Sequence, residues 1–246
     1  MSTSVCHIAS NHPRTDVRIF VKEISSLKEA GFDVSLVVAD GMKDDERNKI
    51  FDAGKVSGRF RRLLLLRKLY KKAAALQCEL YHFHDPELIP VAFRLKKDGK
   101  KVIYDIHEDL PRQLLSKPYI PAVFRKPLSR LLEKYENRRS KKFDALLTST
   151  DHIKSRFSTF HPRVEAVKNY PRIEEFRETG TTARDEGTFS LLYIGALMEV
   201  RGVREMLQAV SGLPVTLNIA GFFPEKSFEE EILRDPLWSG SGTTDI

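Results

Sequence analysis

Two stretches gather the residues best able to do chemistry, Tyr81-His82-Phe83-His84-Asp85-Pro86 and Tyr104-Asp105-Ile106-His107-Glu108. Each is a short β-type run closing in a polar cluster, and residues 87 to 98 between them are enough for a crossover helix. In such a βαβ unit the strands' carboxyl ends open onto the ligand crevice, so His84, Asp85, His107 and Glu108 are expected to converge there. A histidine in that place can donate to a hydroxyl or a phosphate, or shuttle a proton near neutral pH. Asp85-Pro86-Glu87 also matches a helix start with Asp85 as the cap. His82 points away from Phe83 and reads as a core or supporting residue. No helical or hairpin spacing marks His84, Asp85, His107 and Glu108 as metal ligands, and no metal is expected.

A second polar group, His12, Arg14, Asp16 and Arg18, lies between a first strand, Val5 to Ser10, and a helix from Val17 to Ala30. Val17, Phe20, Ile24 and Leu27 recur at helical spacing, Asp16 fits the N-cap and Gly31 the end. This loop has no glycine, so it lacks the dinucleotide fingerprint and NAD or FAD is disfavoured.

The remaining elements alternate in the same way. Asp33 to Ala39 is a second strand, and residues 40 to 57 read as polar and irregular. From Ala53 to Cys78 there is no acidic residue. There Leu63, Leu66, Leu69, Tyr70 and Ala73 share one side of a helix, opposite Arg61, Lys68 and Lys72. The bland reading is a sheet-covering helix with a solvated basic face, and contact with anionic lipid is the sharper one. Residues 117 to 121, broken by Pro118 and Pro121, form a loop over the crevice mouth, followed by a second basic helix from Ala122 to Ser140. Phe143 to Thr148 and Val164 to Lys168 are strands, with a cap at Ser149-Thr150-Asp151. A new α/β unit runs from Phe189. In it Arg201-Gly202, just before a helix N-terminus, suits a diphosphate, and Gly195 and Gly221 close the flanking strands. The domains are thus 1–170, a linker at 171–187, and 188–246.

Composition narrows the class. The chain has 246 residues, 41% hydrophobic and 30% charged, which describes a globular protein. No apolar run of about 18 residues suggests a membrane span, and the start lacks a secretion signal. Cys6 and Cys78 fall inside regular elements and read as buried thiols of a reducing compartment. Residues 181 to 246 carry five basic and ten acidic residues, which leaves the first 180 with a net charge of +12. That part is expected to meet something anionic. Nucleic acid ranks last among the candidates, because the basic helices lack interleaved aromatics or a recognised module.

Taken together, His12-Pro13-Arg14-Thr15-Asp16-Val17-Arg18, Tyr81-His82-Phe83-His84-Asp85-Pro86-Glu87-Leu88, Tyr104-Asp105-Ile106-His107-Glu108 and Tyr193-Ile194-Gly195 resemble bacterial GT-B glycosyltransferases of family 4. The resemblance implies an α/β fold with a complete N-terminal Rossmann-like parallel sheet on the acceptor side and a second, incomplete nucleotide-sugar domain. It implies a retaining transferase of cell-surface polysaccharide synthesis, moving a sugar from an NDP-sugar to a glycan or lipid-linked acceptor with no cofactor. The expected location is cytoplasmic, peripheral to an anionic membrane. His107, supported by His84, would lie next to the transferred sugar, with His12, Arg14, Asp16, Arg18, Asp85 and Glu108 on the acceptor side. Gly195, Arg201, Gly202 and Gly221 would hold the donor diphosphate. Ala196 stands where the family has its first cation, and the paired-glutamate donor motif would fall beyond residue 246. A truncated chain that binds without turnover is therefore an alternative, and an NDP-sugar 2-epimerase is another.

Overall fold

The computed structural model describes residues 2–55, 59–117, 119–173 and 189–238. The chain divides into two compact units, Met1–Arg177 and Glu178–Ile246. The expected linker lies mostly outside the described residues.

The first unit is a seven-stranded parallel sheet with strand order β3-β2-β1-β4-β5-β6-β7. Its strands are β1 (Ser4–Ile8), β2 (Asp33–Val38), β3 (Ile50–Asp52), β4 (Leu80–Phe83), β5 (Lys101–Ile106), β6 (Ala145–Thr148) and β7 (Val164–Ala166). The order reverses between β1 and β4, the switch point at which open α/β sheets bind ligands. β3 corrects the irregular reading of residues 40 to 57. It is only three residues long, and its register comes from pairing with β2 at Leu36, Val37 and Val38.

Side-chain alternation gives the sheet two unlike faces. One face carries Cys6, Ile8, Tyr81, Phe83, Val102, Tyr104 and Ile106 into the larger core. There α2 (Arg59–Ala75) and α3 (Ile89–Lys97) cover it. Among the described side chains of α2, Leu65, Leu69 and Ala73 are buried, while Leu63 is 73% exposed. Leu66 and Tyr70 of the expected face also pack against this core, so among its expected residues Leu63 alone departs, with Leu65 buried instead. Cys6 and Cys78 are buried and unbridged.

The other face carries Val5, Ala9, Val34, Leu36 and Val38 against Ile19 and Ile24. The element crossing it is not the uniform α-helix that the apolar spacing predicts. Val17–Ile24 is π-helical and runs into α1 (Ser25–Glu29). π turns are rare and mark places where a helix must aim side chains differently. Asp16 caps it as expected, its Oδ1 accepting from the Ile19 amide at 2.9 Å.

The polar-ended strands lead into α4 (Leu110–Leu114), α5 (Ala122–Ser140) and α6 (Asp151–Ser158). α5 is inverted relative to an ordinary amphipathic helix. Its buried residues are Ser129, Glu136 and Ser140. Phe124, Leu128, Leu131 and Tyr135, at i, i+4, i+7 and i+11, are exposed instead. Tyr104 donates its hydroxyl to Glu136 at 3.0 Å and Arg156 pairs with the same carboxylate, so polar groups decide which face turns inward.

The second unit pairs β8 (Phe189–Ile194) with β9 (Val215–Ala220) in parallel. α7 (Val203–Val210) and α8 (Lys226–Leu233) pack Val203, Leu207, Phe228 and Ile232 into a small core with Leu197.

Candidate functional site

At the switch point, pairing in register sets His7 of β1 directly beside His82 of β4. His84 follows one pleat later on the same face, and Asp105 and His107 extend the row across β5. Sheet alternation thus lines four histidines and one carboxylate beneath the π-helix. Asp105 is the hub. It is fully buried, and its Oδ2 lies 2.8 Å from His107 Nε2 and 3.2 Å from His84 Nδ1. Arg18 reaches down from the π-helix and donates to both Asp105 oxygens, Nη2 to Oδ1 at 2.9 Å and Nε to Oδ2 at 3.2 Å. Its third bond, to the Val167 carbonyl at 2.8 Å, ties the same helix to the end of β7.

Burial alone would raise Asp105, but hydrogen bonds from His107 and His84 hold it well below the usual carboxylate range. The same burial acts oppositely on the imidazoles. His7 is pushed well below its ordinary value, His82 down to about 3 and His84 down to about 4 by desolvation. These three rings are therefore neutral at pH 7. Glu23, also on the π-helix, is pushed up to about 9 by burial and by the adjacent Asp105. Arg18 Nε lies 3.1 Å from Glu23 Oε1, but its N–H is aimed at Asp105.

The loop after β1 forms the outer rim. His12 sits with Nδ1 3.0 Å from Asp16 Oδ2 and its ring edge-on to His107, the centroids 5.0 Å apart. Asp85 occupies the helix-start position, but its carboxylate makes no cap bond there. Its Oδ2 instead accepts from the amides of Ser10 and Asn11 at 2.6 and 3.2 Å, which fixes the loop carrying His12. The cap reading of Asp85 is thus corrected: the carboxylate reaches across to β1 because two loop amides there need an acceptor.

The sequence-derived residues therefore separate. His84, His107, His12, Asp16 and Arg18 come together. Arg14 does not join them, since its guanidinium forks onto Asp40 at 2.6 and 2.8 Å at the end of β2. Glu108 is exposed, one residue past the cluster. Sequence reasoning missed Asp105, Glu23 and His7, and it placed His82 in the supporting structure. Asp105 had a signal, a charged residue inside an otherwise apolar strand two places before His107.

In the second unit Gly195 and Gly221 meet at the strand ends. A Cβ on Gly221 would fall 1.9 Å from the Gly195 carbonyl oxygen, so only glycine fits. Gly202 is left-handed, with φ 72°, at the start of α7, and Arg201 beside it is exposed.

Residues 18–169 match Glycosyltransferase Family 4. No curated protein matches the chain. Among solved structures, sucrose-phosphate synthase from Thermosynechococcus elongatus superposes with a TM-score of 0.63 at 10% identity, over 95% of this chain and 67% of that one. OtsA gives 0.63 at 14% identity, over 95% and 70%. Anabaena Alr3699/HepE, solved with UDP-glucose, gives 0.62 at 13% identity, over 93% and 64%. The chain thus spans about two thirds of the length of these proteins. At such identities the likeness establishes the fold, GT-B, with its Rossmann-like parallel sheet and a second Rossmann-like unit. The family match covers more than half of the chain, and the protein belongs to glycosyltransferase family 4.

Proposed function

We propose that the protein serves retaining transfer of a sugar from a nucleoside-diphosphate sugar to a glycan or lipid-linked acceptor, in cell-surface polysaccharide synthesis on the cytoplasmic side of a membrane. The observation that carries this reading is the His107–Asp105–Arg18 arrangement at the sheet's switch point. His107 keeps 16% of its side chain exposed while a fully buried carboxylate fixes its ring. Such a ring is oriented before substrate arrives, and it can donate to a sugar hydroxyl or stabilise charge developing on the transferred group. His84 reinforces it through Asp105, and His12 borders it on the acceptor side. In the second unit, Gly195 and Gly221 would border the donor diphosphate at the ends of β8 and β9. Arg201 and the amides opening α7 from Gly202 supply positive charge. The solved complex of Alr3699/HepE with UDP-glucose makes that donor the first to try.

The solvent face of α5 supports a membrane-proximal acceptor. Phe124 and Leu131 are 61% and 65% exposed, and Arg130, Lys134 and Arg138 rise along the adjacent face. Exposed apolar residues flanked by cations fit an anionic lipid surface. Among the described residues no helix is long and apolar enough to cross a membrane.

Calorimetric titration with UDP- and GDP-sugars, run beside a transfer assay on lipid-linked acceptors, tests the reading. Nucleotide-sugar affinity that Arg201→Ala weakens supports it. Absence of affinity for every nucleotide sugar leaves a binding protein that does not turn over.

A further inference from the structure

Beneath His107 lies a second constellation, which shares only His84 with the proposed transfer site. One donor atom from each of His7, Glu23, His82 and His84 lies within 4.8 Å of the other three. Among the described residues, seven buried side-chain nitrogens and oxygens have no hydrogen-bond partner, and four of them belong here: His7 Nε2, His82 Nε2, Glu23 Oε1 and Glu23 Oε2. His7 and His82 are 0% and 5% exposed. Glu23 Oε1 still faces Arg18 at 3.1 Å and its protonated carboxyl lies beside Asp105, so the two imidazole nitrogens are the full orphans, and buried polar atoms normally find partners.

The chemistry of those orphans follows from Asp105. A neutral imidazole carries one N–H and one bare nitrogen. His84 Nδ1 lies 3.2 Å from the ionised Asp105, so the proton of His84 belongs on Nδ1, and its Nε2 is an acceptor. His7 Nδ1, 2.9 Å from that Nε2, must then be the donor. His7 Nε2 is left bare, presenting a lone pair rather than a proton. A metal-bound imidazole is oriented by the group that accepts its other N–H, and here His84 Nε2, itself set by Asp105, takes that place behind His7.

We propose that His7 and His82, through their Nε2 atoms, and the Glu23 carboxylate bind a divalent transition-metal ion of the zinc type, with His84 as the positioning residue behind His7. Two imidazoles and a carboxylate form a borderline-soft N,N,O set that suits zinc and its neighbours better than magnesium or calcium. Ligation displaces the proton that Glu23 otherwise carries and draws the side chains inward to roughly 2.0–2.2 Å from the ion. The ion would pin the π-helix to the first two strands of the switch point. The proposal stands independently of the transferase reading.

The test uses the full chain. Metal content is measured after purification without added metal. Co²⁺ binding is followed by its visible absorption, and thermal midpoints are compared with EDTA and with added Zn²⁺. The expected result is about one bound equivalent, a midpoint lowered by EDTA and restored by Zn²⁺, and Co²⁺ affinity reduced roughly ten-fold or more in Glu23→Gln and His82→Gln. The exposed His152→Ala should bind as wild type. No saturable binding together with an EDTA-independent midpoint overturns the proposal. So does unchanged affinity in both glutamine variants, or loss of the ion in His107→Ala with retention in Glu23→Gln, which would move it to the His84, Asp105 and His107 group. Should the variants not fold, the wild-type midpoints with and without EDTA still decide.

Discussion

Arg18 and Glu23 are five residues apart, yet Arg18 Nε lies 3.1 Å from Glu23 Oε1. An α-helix places positions i and i+5 well apart around its axis, whereas the wider π turn brings them onto one side. The helix therefore delivers a cation and an acid to the same spot above β5. Arg18 is committed to Asp105, and Glu23 is left without a donor.

Removing Arg18 should expose how much of the site it holds. Arg18→Met leaves the buried Asp105 charge without its guanidinium, and breaking such a pair costs about 3–5 kcal/mol. Urea unfolding should show that loss. The double variant with Asp105→Asn should recover part of it, because the uncompensated charge is gone. Equal destabilisation by single and double variants would mean that Arg18 acts by packing alone.

The buried titratable groups set opposing pH limits, read here in EDTA so that no ion intervenes. His7, His82 and His84 have depressed folded values, so the unfolded chain binds more protons below about 6.5, and their contribution is lost as pH falls. Glu23 has a raised value, with Asp105, Arg18 and Asp16 around it, so its contribution is present below about 4.5 and lost as pH rises towards 9. Each unmatched proton is worth about 1.4 kcal/mol per pH unit. Stability should peak near neutrality, falling by roughly two protons' worth on the acid side and one on the alkaline side. Glu23→Gln should flatten the alkaline limb and steepen the acid limb from roughly two protons' worth to three, and an unchanged alkaline limb would refute the assignment.

Much of this architecture is legible in the sequence because it rests on local pattern. Alternating apolar runs and the caps at Asp16 and Thr150 mark most of the elements. What escapes is set by partners distant in the chain. Arg18 meets Asp105 87 residues away, and although Asp105 stands out inside an apolar strand, nothing local marks Arg18 as its partner rather than a surface charge. The spacing of Val17, Phe20 and Ile24 suits an α-helix as well as the π turn, so the placement of Glu23 could not be read. α5 carries one polar and one apolar face, and the choice between them lies with Tyr104 and Arg156.

If His107 acts on the transferred sugar, His107→Ala should lower kcat about 10²-fold or more while leaving donor affinity nearly unchanged. Asp105→Asn perturbs the ring's orientation rather than removing it. It should give a smaller loss together with an altered pH profile. Steady-state kinetics on the preferred donor separates these outcomes, and a pure KM effect in His107→Ala would assign the ring to ground-state binding.

Gly221 offers a purely steric test. Gly221→Ala sets a methyl 1.9 Å from the Gly195 carbonyl oxygen, a backbone atom with no flexible end to move aside. The ends of β8 and β9 must separate, at a cost of about 1–3 kcal/mol. Calorimetry should show the second unit melting earlier while the first is unaffected. An unchanged profile would mean that these strand ends are not in contact.

The exposed face of α5 yields the sharpest prediction about location. Phe124 and Leu131 bury little in the folded chain, so Phe124→Glu with Leu131→Glu should leave its unfolding curve within about 0.5 kcal/mol of wild type. Each side chain could contribute up to about 1.5–3 kcal/mol on entering a lipid interface, and each nearby cation about 1 kcal/mol. The double variant should therefore lose at least ten-fold in partitioning onto anionic vesicles in a sedimentation assay. Charge reversal at Arg130 and Lys134 should abolish the preference for anionic over neutral lipid and flatten the salt dependence. If the apolar pair matters equally on neutral vesicles while the cations contribute nothing, the face binds by hydrophobicity alone. Absence of vesicle binding by wild type would assign the face to a protein partner, because an apolar stripe this ordered along one helix is otherwise a liability in water.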